Sequence, residues 1–238
     1  MNKKNIAVIG CSYSNYRDSN ALFETYPALI ANYFPEHFVI DLTVPGGSNS
    51  SAYLRLKWYE ERYNTKIDKV IFQITHLYRT FVYAKAPIYD IQLTNTNLFT
   101  ESYTKDNYFY TNGVIDKKVG MHISLNSSDP KMKWIHKHFP KFFLEVKELE
   151  MSATWKSHWE TRQMIDLIDR AYDAVFFYWH THVRRDLDLL TCKDDKTYAG
   201  SVEEWLGTKY FEKQGKLITY HFGAPEQQII FEKLKPYI

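Results

Sequence analysis

Short apolar runs alternate with amphipathic stretches along this chain, and that alternation restricts its fold more than any other feature. The first run, Asn5–Ile9 (NIAVI), is continuously apolar and bounded by Gly10, the pattern of a strand buried on both faces. Further strands are predicted at HFVIDL (37–42), DKVIFQI (68–74), DAVFFYW (173–179) and KLITY (216–220). Between them the apolar spacing becomes helical. It does so from about Asn20 to Tyr33, with Asp18, Ser19 and Asn20 as candidate N-caps, and from about Ser50 to Arg62, after the Gly46-Gly47 turn. A third helical stretch covers 156–172 through Trp159, Met164, Ile165, Leu167, Ile168 and Tyr172, and APEQQIIFEKLKPYI closes the sequence as a helix with Pro225 in its first turn. Strands and helices alternating at this spacing imply a doubly wound α/β fold, a parallel sheet covered on both faces.

The 238 residues suit a single domain (1–238) large enough to bury a full core. Residues 84–155 interrupt the alternation with short aromatic runs set among Asn97, Asn107, Asn112, Gly113, Asn126, Ser127, Ser128 and Pro130. A structureless loop of that length is unusual, so an inserted lid or small subdomain is expected there. The chain carries 19 Tyr and 6 Trp, residues with an apolar face and a polar tip that suit sugar-stacking surfaces as well as cores. Trp134, Trp155 and Trp159 border the insertion and fit either a sugar platform or lid core.

The formal net charge of +2 comes from interspersed acids and bases, which lacks the electrostatic footprint of a nucleic-acid binder. Cys11 and Cys192 form no CxxC pair, which argues against a zinc site and a disulfide scaffold and is compatible with a reducing compartment. The apolar run Ile6–Ile9 is too short for a signal-peptide core or a membrane span. A cytoplasmic or otherwise soluble protein is expected, with no membrane partner and no cofactor. Its oligomeric state is left open.

In open parallel sheets ligands bind beyond the carboxyl ends of the strands. The loops there hold Gly10-Cys11-Ser12, Gly46-Gly47-Ser48-Asn49, Thr75-His76-Leu77-Tyr78-Arg79, His180-Thr181-His182 and His221-Phe222-Gly223. A strand followed by Gly-x-Ser near the start, a Gly- and Asn-containing loop after the second strand, and a histidine just before the last helix together resemble the SGNH/GDSL hydrolase superfamily. The resemblance covers the chain apart from the 84–155 insertion. It implies a three-layer α/β/α, flavodoxin-like sheet and hydrolysis or transfer of acyl groups on lipids, sugars and small esters.

Carried over residue by residue, the resemblance puts Ser12 at the nucleophile position, with Cys11 where the family has aspartate. His221 stands at the base. Gly47 stands at the second-block glycine whose N–H, with that of Ser12, lines an oxyanion hole, and Asn49 is near enough to add a side-chain donor. A hydroxyl nucleophile needs both a base and such donors. Two departures accompany the match. Ile218 occupies the position of the acid three residues before the histidine, and the third-block asparagine is missing near ITHLYRT, where Thr75, His76 or Arg79 is the available replacement. His180 is a candidate substrate contact. His180 and His182 also suggest a metal, but no third ligand has recognisable spacing.

The reading is therefore a serine esterase or deacylase working through an acyl-serine intermediate, with an acylated carbohydrate as a candidate substrate. An O-acyltransferase would use the same site, and the two departures also suit a catalytically weak, glycan-binding module on the same scaffold. A nucleotide binder has less support, because the first turn lacks both G-x-G-x-x-G and a Walker lysine.

Overall fold

The computed structural model describes residues 3–11, 24–44, 47–75, 77, 79–83, 102–111, 120–124, 137, 140, 150–181, 197–207 and 223–238. The strands are β1 (Asn5–Ile9), β2 (Phe38–Asp41), β3 (Lys69–Ile74), β4 (Arg79–Tyr83), β5 (Ser102–Lys105), β6 (Tyr108–Thr111), β7 (Gly120–Ser124), β8 (Asp173–Tyr178) and β9 (Tyr198–Ser201). The helices are α1 (Tyr26–Tyr33), α2 (Ala52–Tyr63), α3 (Glu150–Ala171), α4 (Val202–Leu206) and α5 (Ala224–Leu234).

Seven strands form one sheet in the order β5-β6-β2-β1-β3-β8-β9, parallel from β6 to β9 with β5 antiparallel at its edge. The central order β2-β1-β3-β8-β9 is flavodoxin-like, and the doubly wound α/β/α fold expected from the sequence is the fold observed. Strand alternation divides the core into two layers. Ala7, Ile9, Val70, Phe72, Phe176 and Tyr178 face α2 and α3, meeting Leu56, Tyr59, Ile165 and Ile168. Ile6, Val8, Val39, Ile71 and Phe177 face α1, α4 and α5, meeting Tyr26, Ile30, Val202, Ile230 and Phe231. Burying each large side chain of this kind contributes roughly 1.5–3 kcal/mol. At the amino edge the Lys69 ammonium meets the Asp173 carboxylate at 2.7 Å, tying β3 to β8.

Two features differ from the sequence reading, the start of α1 and the strand beside β8. Helix α1 starts at Tyr26 and not near Asn20, with Thr25 extended (φ −72°, ψ 149°) as its N-cap. Pro27 explains the late start: a proline inside a longer helix would lack its N–H and drive its ring into the carbonyl four residues back, but the first turn accommodates it. The candidate caps Asp18, Ser19 and Asn20 lie outside the described residues. So does KLITY, while the strand paired beside β8 is the unforeseen β9.

Part of the insertion completes the sheet. Strands β5 and β6 form a hairpin through Asp106-Asn107, with Asp106 left-handed at φ 50°, a conformation Asp tolerates better than most residues. Alternation places Phe109 against Tyr59 and Tyr63 on one face and Tyr108 and Tyr110 in the layer below. The Asn107 amide donates to the Ala31 carbonyl (2.8 Å) and the His37 carbonyl (3.0 Å), fastening the turn to the end of α1. Strands β4 and β7 pair antiparallel as a separate ribbon.

Replacing Asn107 with alanine removes both anchors and leaves two part-buried carbonyls without these donors. A loss of about 1–3 kcal/mol in unfolding free energy is expected, measured by urea denaturation, together with faster hydrogen exchange at the amides of 102–111.

Candidate functional site

The carboxyl edge of the sheet is organised around one side chain. Arg55, on α2, is almost fully buried, and its guanidinium reaches three loop carbonyls. Nη1 donates to Leu42 O (2.6 Å) and Gly10 O (3.3 Å), and Nη2 donates to Ser48 O (3.4 Å). The chain ends leaving β1 and β2 are thereby held by one cation, in a fold whose ligands gather at this edge where the chain order reverses.

Asp41, at the end of β2, lies near that charge. Its Oδ1 accepts the Thr43 N–H (2.9 Å) and hydroxyl (2.6 Å), and its Oδ2 accepts the Tyr108 hydroxyl (2.7 Å). Complete burial nevertheless pushes the carboxyl up from its ordinary 3.8 to about 6, against the pull of Thr43, Tyr108 and the Arg55 charge. The same burial, together with the adjoining carboxylate, raises the Tyr108 phenol.

Among the sequence candidates, Gly47 and Asn49 are the best defined. The Gly47 N–H donates to Val44 O at 2.8 Å. A Cβ on Gly47 would lie 2.9 Å from Val44 O and 3.3 Å from Gly10 O, so glycine is what allows the turn after β2 to close on Val44 while lying close against the end of β1. Asn49 is buried in the 3-10 turn Asn49–Ser51. Its Oδ1 accepts the Thr75 N–H (2.9 Å), while Nδ2 donates to Thr75 O (3.1 Å) and to the Thr161 hydroxyl on α3 (3.2 Å). Both amide hydrogens are thus directed at protein acceptors. Asn49 joins the loop after β2 to the loop after β3, and Thr75 is the residue it grips.

Cys11 is buried, with its N–H bonded to Gln73 Oε1 of β3 at 3.3 Å, so the chain leaving β1 is drawn towards β3. His180, two residues past β8, places Nδ1 3.2 Å from Glu203 Oε2 on α4. The same oxygen accepts the Thr181 N–H (2.9 Å) and hydroxyl (2.6 Å). Burial works to raise the Glu203 carboxyl, but the Thr181 and His180 donors outweigh it and hold the group below the ordinary carboxylate range.

Ser12, His76, His182 and His221 lie outside the described residues. Arg79 opens β4 opposite Ser124. Among the described residues no three His, Cys, Asp or Glu side chains cluster to hold a metal, and no helix is long and apolar enough to cross a membrane. Arg55 and Glu203 escaped the sequence reading. Each sits in a charge-containing helix where solvent is the ordinary destination, and neither position carries a motif that marks it.

The fold and this edge define a flavodoxin-like α/β/α protein whose strand-end loops are bound to one another by buried polar side chains. No protein-family model and no curated protein matches the chain.

Two outcomes follow from this geometry. Between pH 3.8 and about 6 the folded chain keeps a proton on Asp41 that the unfolded chain has released, so this group's contribution is full below the lower value and is lost as pH rises through the upper one. A shift of this size corresponds to about 3 kcal/mol. Urea denaturation of the parent and Asp41→Asn across this range should show the variant lacking that part of the pH slope. Gly47→Ala, which forces backbone apart at 2.9 Å, should lower the urea midpoint by the equivalent of about 1–3 kcal/mol.

Proposed function

We propose that this chain is a serine esterase or deacylase of the SGNH type, acting through an acyl intermediate on Ser12. The observation that carries the reading is the joining of three strand-end loops at the switch point of a β2-β1-β3-β8-β9 sheet. Arg55 ties Gly10 to Leu42 and Ser48, Gly47 packs against Gly10, and Asn49 grips Thr75. These are the loops in which the family resemblance puts nucleophile, oxyanion donors and third block.

In this reading the Ser12 hydroxyl attacks an ester carbonyl, an imidazole at the same edge takes its proton, and the leaving alkoxide receives that proton. The resemblance gives the imidazole's part to His221. The Ser12 N–H binds the oxyanion, joined by the Gly47 N–H when that group exchanges its bond to Val44 for the ligand. Asn49 acts as the brace between loops. The aromatic richness of the chain favours a carbohydrate ester, on which a sugar hydroxyl replacing water in the second step would make the reaction an O-acyl transfer.

The engagement of the Gly47 N–H and both Asn49 amide hydrogens within the protein favours a second reading, a glycan-binding module with little turnover. A fluorophosphonate probe separates the two. Covalent labelling of the parent that disappears in Ser12→Ala is the expected result, read by intact-protein mass spectrometry. A folded parent that takes up no label but binds acylated glycans would establish the module instead.

A further inference from the structure

Resting on the acyl-serine reading, we propose that His180, oriented by Glu203, is the imidazole that moves the proton, and that Glu203 is its positioning carboxylate. The family match puts the base at His221, but Ile218 stands where the orienting acid belongs. At the end of β8 an imidazole and a carboxylate are already paired. Glu203 Oε2 lies 3.2 Å from His180 Nδ1, and a carboxylate accepting there places the hydrogen on Nδ1 and the lone pair on Nε2, the tautomer of a general base.

The carboxylate is held firmly. Thr181 donates to the same oxygen through its N–H and its hydroxyl. The Glu203 N–H donates to Trp179 O at 3.3 Å, which fixes the glutamate backbone to the same corner. The helix bearing Glu203 is itself started by a capping box, in which Ser201 Oγ accepts the Glu204 N–H (3.2 Å) and Glu204 accepts the Ser201 N–H (3.1 Å). Both side chains are partly open, His180 at 23% and Glu203 at 15% exposure, so the pair is neither sealed in the core nor free in solvent.

Register puts the corner at the proposed reaction edge. Ile9, Phe72 and Phe176 stand level across β1, β3 and β8, which places β8 about 10 Å from β1 at two strand spacings. The Cys11 N–H, bonded to Gln73 Oε1 at 3.3 Å, holds the end of β1 against β3, the strand that lies between β1 and β8.

The proposed proton path conserves atoms. As the serine oxygen bonds to the acyl carbon, its proton passes to His180 Nε2. The ester C–O bond then breaks and the alkoxide takes that proton. Water next gives a proton to Nε2 and attacks the acyl-serine, and the released serine oxygen recovers the proton.

The test compares parent, Ser12→Ala, His180→Ala, His180→Asn and Glu203→Gln by rate of fluorophosphonate labelling and hydrolysis of p-nitrophenyl acetate, with urea midpoints measured alongside. His180→Asn keeps an N–H donor towards Glu203, and so the corner, while removing Nε2. Both His180 variants are expected to slow by about 10²–10⁴-fold, with free imidazole restoring part of the rate to His180→Ala. Glu203→Gln is expected to slow without imidazole recovery. Labelling that is lost in Ser12→Ala but proceeds at the parent rate in folded His180→Asn would overturn the proposal and leave the acyl-serine reading standing. A slowed His180→Ala that imidazole does not recover would also overturn it, as a structural role for the corner. An unlabelled, folded parent would overturn both.

Discussion

One buried guanidinium sets the conditions at the carboxyl edge of the sheet. A parallel strand that ends leaves carbonyls whose ladder partners have run out, and when the strand is central those carbonyls sit away from water. An unsatisfied group there costs about 1–3 kcal/mol. At the ends of β1 and β2 Arg55 supplies donors in one rigid plane to Leu42, Ser48 and Gly10, the Gly10 carbonyl also accepting the Val44 N–H at 3.1 Å. Lysine, a single point of charge on a flexible stem, would not present that fork. Removing Arg55 would therefore loosen the loops after β1 and β2 together, which makes it a residue of the candidate site although it is named by no motif.

The cation also shapes its surroundings. Isolated burial of an ion is strongly unfavourable, and here the carbonyl dipoles and the Asp41 carboxylate share its field. Tyr108 reaches Asp41 from the inserted hairpin. The β5-β6 hairpin is thus wired into the same polar network as the loops after β1 and β2, and belongs to the frame of the candidate site as well as to the sheet edge.

Strands β1, β2, β3 and β8 were legible in the sequence because each carries a short apolar run (IAVI, FVI, VIF and AVFFY) buried on both faces. Strand β9, Tyr-Ala-Gly-Ser, offers no such run, since it pairs along one side at the sheet's edge and its burial is partial. The start of α1 was misplaced because apolar spacing continues upstream of Pro27, and spacing alone does not register the missing N–H. At the site, Gly47 and Asn49 were legible by position after β2. Their roles as close-approach residue and loop brace were not, because these depend on Gly10, Val44, Thr75 and Thr161, contacts made across the fold. Glu203 was invisible for the same reason: its partner His180 is 23 residues away, and only the β8-β9 crossover brings them together.

Two carboxylates at this end of the molecule show how burial decides what identical donors achieve. Asp41 and Glu203 each accept a threonine N–H at 2.9 Å and the same residue's hydroxyl at 2.6 Å, and each takes a further side-chain bond, from Tyr108 and His180 respectively. Asp41 is nonetheless driven up and Glu203 held down. Full enclosure makes desolvation the larger effect at Asp41, so that its proton is retained into mildly acidic solution and the network it anchors behaves as structure. Partial access to water weakens that penalty at Glu203, and the donors prevail. Glu203, the carboxyl held down, is the one that stands beside an imidazole.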